Sequence, residues 1–365
     1  MALVEHLGSA EEVFGKDRET IETILGPHSK YASGITEKSV REAEDELTRL
    51  NDDGIIFTGF TENGYPAMLK ECDDPPIGLY IRSCSPPEDL WKTPRSISIV
   101  GTRDVSSYGR EWCRRIVSGL AAASDGRPSV VSGLALGTDI CAHIAALEEG
   151  LPTIGVMATG PDIIYPYRHR NIAERMVQTP GCALITDYPP GTAPLAIHFL
   201  RRNRIIAGLG EATLLIESKL RGGGMMTARL AFSYSRDVYA LPGRVDDVRS
   251  QGCNELLRTH VAEPVVSVNQ LISDLKMGTP GRRKGVSLDG LLESRYAGRC
   301  AEDRIKDMSR ILTVIRKNRG ITIEELAHST GIDHVRVVEM AGMLEIDGLI
   351  SIDLLQRCSI NAKFI

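Results

Sequence analysis

Glycines recur at five places in the middle of the chain, several beside cations, and that pairing suits one kind of chemistry. The segments are Gly101-Thr102-Arg103, Ser132-Gly133-Leu134-Ala135-Leu136-Gly137-Thr138-Asp139, Gly160, Lys219-Leu220-Arg221-Gly222-Gly223-Gly224, and Pro242-Gly243-Arg244. A glycine lets main-chain N–H groups approach a ligand with no Cβ in the way. A helix starting there adds free N–H donors and the positive end of its dipole. With Arg103, Lys219, Arg221 and Arg244 interleaved, the set points to an anion, most simply phosphate. Any single glycine could instead serve a tight strand-to-helix turn.

Other residues offer other chemistry. Arg201, Arg202 and Arg204 fall within four residues, too close in sequence to share one helix face. At least one is expected to turn into the body towards a phosphate or a carboxylate such as Glu217. Asn203, between them, can cap or bond main chain. Tyr165, Tyr167, Arg168 and Arg170 mix rings with positive charge, with Phe199 a further ring. Such mixtures can stack bases and clamp a strand, or simply form a loop that opens a helix. Asp139 and His143 stand four apart and could share a metal, but no third ligand is evident. A dipole-complementing Asp and a core His are the favoured alternative. Asp139, Asp187 and Glu217 are the carboxylates near strand ends that could do acid–base work. No GxGxxG, GxxxxGK[ST] or GxSxG is present, which leaves nicotinamide, P-loop and serine-hydrolase chemistry poorly supported.

These segments need a scaffold, and the flanking patterns supply one. Short apolar runs at 96–100, 129–132, 153–157, 183–186, 213–217 and 237–241 alternate with helical windows at βαβ spacing. The expected fold is α/β, a doubly wound, mostly parallel sheet. Ligands of such sheets bind beyond the carboxyl ends of the strands, where the glycines lie. Residues 1–90 read as an N-terminal helical region and lead-in, with a short strand at 78–82. Residues 91–275 form the core and 276–305 a linker. Residues 306–365 read as a winged-helix-like unit. Its signs are a helix near 307–317, a capping box from Thr322 to Glu325, Gly331 ending a second helix, a third near 333–346, and an extended 351–355.

Of the 365 residues 42% are hydrophobic and 25% charged, enough for a real core. The 43 basic residues against 48 acidic ones exclude a chain that is basic throughout, though not a local basic site. No apolar run approaches a membrane span, and the start does not read as a signal peptide. Eight scattered cysteines without CxxC read as free thiols in a reducing cytoplasm.

In this order the segments resemble the DNA-processing protein A family, DprA or Smf. The resemblance rests on SIVGTRDVSSYG (98–109), SGLALGTDICAHIAAL (132–147), RNRIIAGL (202–209), GGGMMTARLAFSYSRDVYALPG (222–243) and SQGCNELL (250–257). It covers roughly 60–275 strongly. It departs from the family at Leu136, where an arginine is common, and at Thr138, where isoleucine is. The resemblance implies an extended Rossmann-like core in a non-catalytic protein that binds single-stranded DNA, forms a homodimer, needs no cofactor, and loads RecA recombinase onto incoming strands in natural transformation. By motif, Gly101, Arg103, Asn203, Arg204 and Gly222–Gly224 would line its phosphate pocket. Lys219 and Arg221 join them from position alone.

With only 5% aromatic residues, a long stacking platform is not expected. Phosphate contacts should dominate, with one or two bases stacked on Tyr165, Tyr167 or Phe199. The C-terminal unit balances its charges, eight against eight over 306–365, which favours a protein-interaction or accessory role over groove reading. The rival is a Rossmann-like hydrolase acting on a small phosphorylated nucleotide with one of the three carboxylates.

Overall fold

A computed structural model describes residues 2–26, 29, 32–93, 95–123, 125–278, 292–293, 295–318, 320–353 and 356–360. The chain divides into two compact units, 1–281 and 282–365.

The first unit is built on a nine-stranded sheet. Its strands are β1 (Ile56–Gly59), β2 (Gly78–Arg82), β3 (Ser96–Val100), β4 (Ser129–Ser132), β5 (Thr153–Val156), β6 (Ala183–Thr186), β7 (Ala212–Leu215), β8 (Asp237–Ala240) and β9 (Glu263–Pro264). The spatial order is β1-β2-β6-β5-β4-β3-β7-β8-β9. From β6 to β9 every neighbouring pair is parallel. The strands from β3 to β7 are buried at every position except Ser96, because helices cover both faces.

Strand alternation separates two cores. Ile97, Ile99, Val130 and Leu214 face one layer, filled by the helices Ser107–Ala122 and Thr138–Glu148. Val100, Val131, Ile154 and Leu215 face the other, where Ile205, Ile206 and Leu209 of the helix Ala196–Leu209 pack. Ser98 Oγ ties that helix to the sheet by donating to the Ile206 carbonyl at 2.6 Å.

The region expected to be a helical lead-in also supplies sheet. Helices do come first, among them Arg18–Leu25 and Glu37–Asp52. Then β1 pairs antiparallel with β2, and β2 with β6, so residues 56–82 extend the main sheet. The four-residue IFTG carries too little alternation to announce itself as a strand. At the other edge β9 is only two residues long.

In the second unit the helix Glu302–Lys317 is followed by β10 (Ile321–Thr322), the helices Ile323–Thr330 and His334–Ile346, β11 (Ile350–Ile352) and β12 (Arg357–Ile360). The three strands form a sheet in the order β10-β12-β11. Thr322 and Glu325 form a capping box, and Gly331 closes its helix at φ 67°, a left-handed conformation that favours glycine. The first of these helices starts five residues before the expected 307, inside the stretch read as a linker. Residues 279–291 and 294 of that stretch, Leu354 and Leu355 of the extended segment, and residues 361–365 lie outside the described residues.

Candidate functional site

The strand order reverses around β3, with β4 on one side and β7 on the other, and a cleft of about 690 Å³ opens there. That is where a doubly wound sheet leaves a crevice beyond its carboxyl ends. The loop after β3 supplies Gly101, Thr102 and Arg103. The loop after β7 supplies Ser218, Lys219 and Arg221, then Gly222, Gly223 and Gly224 at the start of the helix Gly223–Ser233. The helix Ala196–Leu209 lays Phe199, Arg202 and Asn203 along another wall.

The cations of the rim are free. Arg103, Lys219 and Arg221 are exposed, and none forms an ion pair among the described residues. The Arg103 guanidinium lies 5.2 Å from the centre of the Phe199 ring, and Tyr165 meets Phe199 edge-on at 5.6 Å. A cation over a ring and two rings at an angle make a wall that can take a planar, anionic ligand. The helix beginning at Gly223 brings the N–H groups of Gly223 and Gly224 to the same place, while the Met225 N–H donates to the Gly222 carbonyl at 3.1 Å.

The glycines divide between the two roles left open by the sequence. A Cβ on Gly101 would meet Thr138 Oγ1 at 2.4 Å, one on Gly222 would meet Ser218 Oγ at 2.3 Å, and one on Gly224 would meet Leu215 Cδ1 at 2.7 Å. Those three are required by packing. Gly223 has nothing within 4 Å of that position, so its main chain is the open surface of the loop. Gly137 sits at φ 79°, and a Cβ there would strike the Thr102 carbonyl at 2.3 Å. It closes the β3 and β4 loops against each other.

The floor differs from the rim. Arg202 is only 3% exposed; its Nη1 donates to the carbonyls of Gly133, at 2.6 Å, and Val156. Burial pulls its guanidinium down to about 10, so it stays charged at neutral pH. Asp139, also buried, accepts from Ala135 N at 3.4 Å, and both groups close on Gly133. Burial raises the Asp139 carboxyl, and Arg202 opposes that shift. Two of the three clustered arginines thus point inward, but neither reaches Glu217. Arg202 is held by carbonyls beside Asp139, an arrangement with no local sequence signal because its partners are 46 and 69 residues away.

Several expected site residues are elsewhere. Arg204 does not line the cleft: its Nη2 donates to Asp187 at 2.5 Å and its Nη1 to the Asp74 carbonyl. Arg244 is likewise outside and pairs with Asp246 at 2.7 Å. Tyr167 is exposed away from the cleft, with Arg170 over its ring at 5.8 Å. Glu217 accepts from Ser106 N at 2.8 Å and Ser106 Oγ at 2.5 Å, fixing the start of the helix Ser107–Ala122. Of the three carboxylates offered for acid–base work, only Asp139 lines the cleft. His143 is buried, its Nδ1 2.8 Å from Thr153 Oγ1, and among the described residues no cluster of three metal-binding side chains occurs.

The fold and cleft define a doubly wound α/β protein with a cationic, glycine-lined crevice at its switch point. The chain belongs to the DNA recombination-mediator protein A family, which it matches over residues 56–276. DNA processing protein DprA of Streptococcus pneumoniae is 37% identical over 194 residues, 53% of this chain and 65% of that one. The X-ray structure of DprA from Streptococcus pneumoniae aligns with a TM-score of 0.64 at 29% identity, covering 75% of this chain and 91% of that chain. A Helicobacter pylori DNA processing protein A, whose structure is described for its single-stranded DNA binding mode, aligns with a TM-score of 0.53 at 29% identity, over 60% of this chain and 95% of that one. The family is one of recombination mediators rather than enzymes, and the chain is a DNA-processing protein of recombination.

Proposed function

We propose that this chain binds single-stranded DNA in the cleft, protects the strand and passes it to RecA recombinase, as in natural transformation. The observation that carries the reading is the free triad Arg103, Lys219 and Arg221 beside the Phe199–Tyr165 wall. Phosphate meets the cations and the open Gly223 main chain, and one base meets the rings. Gly101, Asn203, Gly222 and Gly224 shape this pocket. The cleft has room for about one or two nucleotides, so a strand must run beyond it. The Helicobacter pylori relative, described as binding single-stranded DNA, supports the same ligand here. The mediator acts as a homodimer in the cytoplasm, and a second copy would add a second cleft and an avidity gain on a long strand. Among the described residues no helix is long and apolar enough to cross a membrane. The helix order and hairpin of the second unit support a winged-helix reading in an accessory role.

The test is fluorescence anisotropy with a labelled single-stranded oligonucleotide and its duplex, for the native chain and Arg103→Ala. The expected result is submicromolar single-strand binding, weaker duplex binding and a loss in the variant. Absence of binding at low salt overturns the proposal.

A further inference from the structure

A shallow apolar groove of about 480 Å³ runs on from the cleft and shares Leu200, Arg221, Gly222 and Gly223 with it. Beyond the shared residues it is lined by Leu220, Met226, Leu230 and Arg229, with Met225 beneath. Leu200, Leu220 and Met226 are 44%, 52% and 38% exposed. They come from two helices and the loop between β7 and the second of them, so three chain segments converge on one apolar surface. Such a convergence exposes greasy area that a folded protein normally hides unless something binds there. Among the described residues no carboxylate lines the groove. Arg221 and Arg229 stand at its edge, exposed and without an ion pair among the described residues.

An apolar floor edged by two exposed cations, with no acid among its described lining residues, fits one occupant best. A nucleobase offers an apolar face, and its phosphate needs a cation. Methionine and leucine accept any base, because a polarizable thioether packs on an aromatic face without reading its edge. A basic protein segment would be repelled by the two arginines, and a purely apolar one would leave them unused. The groove also begins where the cleft ends, at Gly222 and the open main chain of Gly223.

We propose that this groove carries the nucleotides adjoining those in the cleft, with bases on Leu200, Leu220 and Met226 and phosphates at Arg221 and Arg229. The inference rests on the single-strand reading above and adds the path by which the strand leaves the cleft. It assigns part of the affinity to side chains outside the glycine loops.

The experiment compares the full chain with the charge-neutral double variant Leu220→Gln, Met226→Gln, neither residue lining the cleft. Affinity for a fifteen-nucleotide oligothymidylate is measured, with a melting curve to confirm folding. Separately, peroxide oxidation of Met226 in the native chain is followed by mass spectrometry with and without saturating oligonucleotide. About tenfold weaker binding by the folded variant is expected, the scale of one lost base contact. Slowed oxidation of Met226 in the complex is expected with it. Native chain that binds the oligonucleotide, with unchanged affinity in the variant and Met226 oxidised at the free rate, overturns the groove alone. Native chain that fails to bind overturns the strand reading and the groove together.

Discussion

Arg204 and Asp187 face each other at 2.5 Å in a largely enclosed position, 20% and 16% exposed. The pair locks the helix Ala196–Leu209 to the loop after β6. Asp187 keeps a second oxygen, Oδ1, buried without a partner among the described residues, and burial raises its carboxyl against the pull of Arg204. Removing Arg204 would leave a mostly buried carboxylate alone. Arg204→Ala should therefore cost roughly 2–4 kcal/mol of stability in urea denaturation. Single-strand affinity should stay within about threefold, under ~1 kcal/mol. A tenfold affinity loss at unchanged stability would return Arg204 to the ligand's path.

Arg103 makes the opposite prediction. It is exposed, unpaired and held over Phe199, so its loss should leave stability nearly unchanged. A charge-assisted contact to phosphate is worth about 1.5–3 kcal/mol, so Arg103→Ala should weaken strand binding by about ten- to a hundredfold. With three or four phosphates neutralised, log affinity should fall with log salt at a slope of about −2 to −3 for a single strand. The variant should flatten that slope by about 0.7. A flat salt response in the native chain would sink phosphate recognition altogether.

These two arginines show what was legible in the sequence and what was not. Arg103 sits in a loop directly after an apolar strand, so its place followed from one local pattern. The six core strands and the position of the glycine loops were readable for the same reason. Arg204 and Arg202 sit on a helix whose inward face is set by β4, β5 and the loop after β6. Their partners are carbonyls and a carboxylate from distant segments, which no spacing encodes. Glu217 looked like an acid near a strand end, and only the fold turns it onto Ser106. Strand β1 was missed because edge pairing with β2, and not its own pattern, holds it in the sheet.

Glu217 should behave as a structural group. Its carboxylate accepts from the Ser106 main chain and hydroxyl, and a Cβ at Gly109 would meet its Oε2 at 2.6 Å. Glu217→Gln keeps one acceptor but removes a negative charge from a helix start. A stability loss of about 1 kcal/mol is expected in thermal or urea denaturation. Strand affinity should be unchanged. Appearance of a nucleotide-hydrolysing activity in the native chain that Glu217→Gln abolishes would contradict this assignment.

The second unit should matter little for single-strand affinity. Arg336 bonds Asp303 and Asp307, each at 2.7 Å, and Arg304 bonds Glu339 at 3.0 Å. Arg336 on the helix His334–Ile346 and Arg304 on the helix Glu302–Lys317 are thus already paired, while Val335 and Ile346 are exposed. A groove-reading helix presents cations or amides instead. Chain ending at 281 should bind single strands within about threefold of the full chain. A hundredfold loss on truncation would make this unit part of the DNA site.

His143 gives the chain an acid-sensitive core. Thr153 Oγ1 donates to the Val130 carbonyl at 2.8 Å, so it must accept from His143, which places the ring proton on Nδ1. Nε2 is then a bare lone pair, buried without a partner among the described residues. Protonating it would bury an unpaired charge, and burial accordingly lowers the histidine from its usual 6.5 to about 3, with His169 and Arg202 adding to the effect. The unfolded chain takes up a proton below about pH 6.5 that the folded chain refuses until about pH 3. Stability from this site therefore falls as pH drops through that window, by about 1.4 kcal/mol per unit, or roughly 2 kcal/mol at pH 5. His143→Gln keeps a donor for Thr153 and cannot titrate. It should lower stability at pH 7 yet narrow its gap to the native chain at pH 5, as read from urea midpoints. An identical gap at both pH values would show that His143 does not titrate between the folded and unfolded states.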